Sequence, residues 1–62
     1  MEQMIDQMII GLKQIFPEHW RTFMEMEIEY TRAKLKLVHD LGYEDKVGWE
    51  EGIKLIEQKL NE

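Results

Sequence analysis

The chain has 62 residues, no cysteine, one proline and a net charge of −5, with 44% of its residues hydrophobic and 34% charged. At this length it makes one domain at most, burying only about 60% of its unfolded surface, and a dinucleotide fold, a barrel or a deep enclosed active site is excluded. Disulfides cannot reinforce so small a core, which leaves close helix packing, a metal or self-association as sources of added stability.

Pro17, Gly42 and Gly48 are the only strong breaks in the pattern, and each of the three segments they separate reads as helical. In the first, Met1, Met4, Ile5, Met8, Ile9, Leu12, Ile15 and Phe16 recur at three- and four-residue steps and share one arc of the helical wheel, with Glu2, Gln3, Asp6, Gln7, Lys13 and Gln14 opposite. Ile10 falls on the polar side. The spacing predicts a helix over about 2–15, because Pro17 disfavours helical geometry at Phe16. Pro17 and Glu18 suit the opening of a second helix.

That second helix, predicted over 17–41, carries two apolar stripes. One holds Phe23, Met26, Tyr30, Ala33, Leu37 and Leu41; the other holds Trp20, Met24, Ile28, Leu35 and Val38. Glu27 and Lys34 form a narrow polar ridge between them, and Glu18, Thr22, Glu25, Glu29, Arg32, Lys36 and Asp40 line the outer face. A helix with two apolar stripes is expected to be the central one, touching neighbours on two sides. Gly42 is a plausible stop.

Residues 43–47 read as a loop, and a third helix is predicted over about 49–61 with Glu50 and Glu51 in its first turn. Trp49, Ile53, Ile56 and Leu60 form a narrow seam, Leu55 sits off it, and Gly52 offers a close approach. At 1.5 Å per residue the middle helix is about 37 Å long, against about 22 Å and about 20 Å for its neighbours. The first helix is therefore expected along the first half of the second, and the third along its second half. Outer helices that overlap only in part would leave apolar surface open, which is the case for a helical homodimer.

Thirteen acidic residues against eight basic ones argue against a general phosphate-binding role. The charge is uneven: Arg32, Lys34 and Lys36 form a basic island between two acidic ends. Glu2 and Asp6 stand where a secretory leader is basic, and the longest apolar run is three residues, so neither leader nor membrane span is expected and the cytoplasm is the expected compartment.

Chemistry is scarce. There is no serine, and Thr22 and Thr31 are the only hydroxyls besides the tyrosines, so nucleophilic catalysis is not expected. His19 and His39 lie twenty residues apart, and neither His-Glu-x-x-His nor Glu-x-x-His occurs, so no metal site is expected. The carboxylate pairs Glu25/Glu29, Glu44/Asp45 and Glu50/Glu51 read as solvated faces and helix-start charge.

Tyr30-Thr31-Arg32-Ala33-Lys34 has the Tyr-x-x-x-Lys spacing of short-chain dehydrogenases, and the stretch 41–53, Leu41-Gly42-Tyr43 through Gly52-Ile53, resembles the C-terminal segment of nucleotide-sugar epimerases of that superfamily. The cofactor-binding glycine motif is missing and there is no room for the sheet, so the resemblance implies no catalytic role. It does imply a helix starting at Gly48-Trp49.

The expectation is a single all-α domain over 1–62, with three helices around a long central one, paired as a homodimer and needing no cofactor. The expected function is non-enzymatic: a protein–protein interaction module of the inhibitor, antitoxin or phage-regulator kind that occludes a protein partner. Trp20, Met24, Ile28, Leu35 and Val38 are the nominated contact stripe, with Ile10 and Leu55 as outlying contacts. The alternative is a small dimeric DNA-binding regulator using Arg32, Lys34 and Lys36 on phosphates.

Overall fold

A computed structural model describes residues 2–62, and Met1, placed by its periodicity on the first helix's apolar arc, lies outside the described residues. The described chain is all-helical: α1 spans Glu2–Ile15, α2 Trp20–Asp40 and α3 Trp49–Leu60. No helix is long and apolar enough to cross a membrane.

α1 ends where Pro17 requires. The Phe16 carbonyl accepts from the N–H groups of His19 and Trp20, at 3.1 and 2.9 Å, so residues 17–19 form one tight turn. His19 closes that turn with φ −124° and ψ 0°, off the helical path, and α2 begins at Trp20 instead of Pro17. The three residues are consumed in reversing the chain. Across the reversal the rings of Phe16 and Phe23 pack 4.6 Å apart, and Lys13 lies 4.6 Å from the Trp20 ring.

At its other end α2 closes in a Schellman arrangement. Gly42 donates to the His39 carbonyl at 3.0 Å and Tyr43 to that of Val38 at 2.9 Å. The geometry needs a left-handed residue, and Gly42 takes φ +83°. Seven residues, 42–48, then run back without helix before α3 starts.

That return segment decides the packing. From Leu41 back to the level of Lys34 is seven helical residues, about 10 Å, a distance that residues 42–48 cover even with the Lys46 N–H turned onto the Glu44 carbonyl at 3.0 Å. α3 therefore does not lie along the second half of α2 as its sequence position suggests. Its Trp49 sits against Lys34, Glu57 pairs with Arg32, and the Leu60 carbonyl accepts from the Arg21 guanidinium. Both outer helices lie beside the first two-thirds of α2, and a three-helix core closes there.

The core takes two residues from each helix: Ile5 and Ile9, Met24 and Ile28, Ile53 and Ile56. Leu12, Trp20, Leu35, Leu55 and Leu60 pack around it. Buried Thr31 satisfies its hydroxyl by donating to the Glu27 carbonyl at 2.8 Å. Lys59 of α3 ties down the start of α1, 3.3 Å from Glu2 and 3.1 Å from Asp6. These carboxylates raise its pKa above the usual lysine value, with the hydrogen bond to Asp6 contributing most.

α3 is opened by Asp45. Its carboxylate accepts from the backbone N–H of Gly48 at 3.1 Å, Trp49 at 3.1 Å and Glu50 at 3.0 Å, taking up donors that the first helical turn leaves without partners. These bonds, led by the one from Glu50, hold its pKa below the ordinary aspartate value. Gly48 reaches the cap through a left-handed φ of +86°.

Candidate functional site

The two stripes of α2 have unequal fates. Met24 and Ile28 are core residues, Met24 with no exposed surface at all, and Trp20, Leu35 and Val38 are half-buried. The nominated contact stripe is thus largely consumed inside the chain, a correction that follows from where the return segment sets α3. Leu55 is likewise half-buried against the core, while Ile10 stays exposed beside Asp6, Lys13 and Trp20.

The other stripe faces outward. Met26 is 57% exposed, Tyr30 62%, Leu37 58% and Leu41 63%, and Phe23, at 39%, continues the row toward exposed Phe16. Neither α1 nor α3 reaches this side. Sequence periodicity finds both stripes and cannot say which one the fold uses, since both are apolar at helical spacing.

A second open area lies between the helices. Met4 and Met8 of α1, Glu27 and Thr31 of α2, and Val47, Trp49 and Gly52 at the start of α3 line an open groove of about 640 Å³. Its walls are mostly apolar, and half-buried Glu27 is the one charged residue among them. On the neighbouring edge the Lys34 ammonium lies 4.5 Å from the Tyr30 ring and 4.8 Å from the Trp49 ring. Methionine is unbranched and repacks easily, which suits a surface that meets a partner of irregular shape. The sequence placed Met4 and Met8 on the core arc of the first helix. They are exposed because α1 turns Ile5, Ile9 and Leu12 onto the core and leaves Met4 and Met8 on the wall of the groove.

The basic island does not present three free cations. Arg32 pairs with Glu57 at 3.1 Å, Lys36 with Asp40 at 2.7 Å, and Lys34 rests on the two aromatic rings. His19 and His39 are both exposed, and among the described residues no three His, Asp or Glu side chains cluster as metal ligands. No protein-family model, curated protein or solved structure matches the chain.

Proposed function

We propose that the chain is a non-enzymatic interaction module that binds and occludes a protein partner through apolar surface. The observation that carries this reading is an imbalance. Among the described residues six apolar side chains are buried, while twelve large ones are more than a third exposed. Single exposed apolar residues are ordinary, but here several are grouped, in the stripe of Met26, Tyr30, Leu37 and Leu41 and in the groove lined by Met4 and Met8, and grouped apolar surface on so small a fold marks an interaction surface. In size and architecture this is the manner of small inhibitors and antitoxins. The groove between Met4, Met8 and Trp49 suits an apolar anchor from another chain.

The test is capture by immobilised chain, with wild type and Met4→Asp/Met8→Asp compared. The reading expects a defined protein retained by the wild type and lost by the variant, with helical circular dichroism unchanged. Identical retention by both proteins would contradict it. The rival DNA-binding reading expects a mobility shift of random duplex at low salt, and the present reading expects none.

A further inference from the structure

We propose that the exposed α2 stripe is the two-fold interface of a homodimer, in which two copies of α2 pack antiparallel about a point between Tyr30 and Ala33. The proposal rests on the reading of the open apolar surface as an interface, and it names the occupant of one part of it: a second copy of this chain. Three observations carry it.

The first is area. Side chains of this size expose about 200 Å² each when free, so the stripe together with Phe16 offers about 630 Å² at the exposures found, some four-fifths of the roughly 800 Å² that one partner gives a standard interface. That is at the top of the range for the largest patch of a typical monomer, about 300–600 Å².

The second is charge. The first half of α2 carries Glu25, Glu27 and Glu29, and the second half Arg32, Lys34 and Lys36. Side-by-side parallel copies would set like charge against like. Antiparallel copies related by a two-fold axis bring the same border of each stripe together. Glu29 and Lys36, seven residues apart, share one border, and Glu27 and Lys34, also seven apart, share the other. Glu29 then meets Lys36 of the second copy, shared with Asp40 of that lysine's own chain, and Glu27 meets Lys34 of the second copy, which keeps its place over the Tyr30 and Trp49 rings, each pair occurring twice. Among the described residues neither Glu27 nor Glu29 has an ion-pair partner within its own chain.

The third is shape. In this register Met26 lies opposite Leu37 of the second copy, Phe23 near its Leu41, and bulky Tyr30 against its small Ala33. The end of α2, which projects past α1 and α3, would rest on the three-helix body of the other copy.

The experiment is light scattering behind size exclusion on the wild type, Leu37→Glu, Glu29→Lys, Lys36→Glu and the Glu29→Lys/Lys36→Glu double variant, with circular dichroism as the folding control. The wild type is expected near twice 7.6 kDa at roughly 100 µM. Leu37→Glu, whose side chain is exposed in the single chain, is expected as a folded monomer. Each single charge swap is expected to raise the dimer dissociation constant about tenfold or more, and the double swap to restore most of it. Should either charge variant lose helicity, the Leu37→Glu result decides. A monomeric wild type, a dimer indifferent to Leu37→Glu, or a double swap no better than the singles would overturn the proposal. A monomer that still captures a protein through Met4 and Met8 sinks the dimer and leaves the protein-binding reading standing; a Leu37-dependent dimer that captures nothing does the reverse.

Discussion

Met24 and Met26 stand two residues apart on α2 and face opposite environments: Met24 is fully enclosed by α1 and α3, and Met26 is more than half exposed on the open stripe. Two residues turn a helix through about 200°, so this pair marks the inner and outer walls of the same element.

Truncating the two should separate them cleanly. Met24→Ala removes a fully buried side chain and is expected to cost about 2–4 kcal/mol of stability. Met26→Ala in dilute protein should fall within about 0.5 kcal/mol of wild type, as ordinary surface changes do. Urea denaturation of both variants reads the difference.

Asp45 gives a prediction in acid. Its folded pKa lies below the ordinary value, so folding favours the ionised form. The stability it contributes is present above the unfolded pKa of about 3.9 and is lost as pH falls through the lower folded value. Asp45→Ala should therefore melt at a lower temperature than wild type at pH 7, and the two melting curves should draw together as the pH falls below the ordinary aspartate value. A constant gap would mean that what Asp45 contributes does not depend on its charge, and no gap at pH 7 that the three backbone hydrogen bonds contribute nothing.

Lys59 behaves in the opposite sense. Its folded pKa is raised, first by the hydrogen bond to Asp6 and then by that to Glu2, so its contribution is complete below the unfolded value of about 10.4 and is lost as pH rises through the folded one. Lys59→Gln should lower the melting temperature modestly at neutral pH. That deficit should shrink in about 1 M salt, where the Debye length is near 3 Å, and disappear in strong alkali.

Two glycines should respond in opposite directions to alanine. A Cβ at Gly11 meets nothing within 4 Å, so Gly11→Ala is expected to stabilise the helix by about 0.5–1 kcal/mol. A Cβ at Gly42 also meets open space, yet its φ of +83° is strained for any L side chain, and Gly42→Ala is expected to destabilise by about 1 kcal/mol. Thermal unfolding of the two variants measures both signs.

The helices were legible because Pro17, Gly42 and the three- and four-residue spacings mark them, and the ends at Ile15 and Trp49 lie where those signals put them. The start at Trp20 was not, because the three residues needed to reverse the chain have no signature apart from Pro17. Nor was the burial of the Met24 stripe. It depends on how far residues 42–48 carry the chain back before α3 begins, and the residue types of a loop do not fix that distance. Asp45 was readable in principle: an aspartate a few residues ahead of an apolar seam is a helix-start signal. Beside Glu44 in a segment that reads as loop, its charge masks that signal. The open groove had no such signal, since Met4 and Met8 differ from Ile5 and Ile9 only by their place on a broad apolar arc.

The methionines supply the most direct test of which wall of α2 is the interface. Peroxide in large excess oxidises each at a rate set by its exposure, and mass spectrometry assigns the sulfoxides. At low protein concentration Met26 and Met4 should react quickly and Met24 slowly; as concentration rises, Met26 alone should become protected. Met24 reacting faster than Met26, or Met26 keeping pace with Met4 at every concentration, would contradict the account.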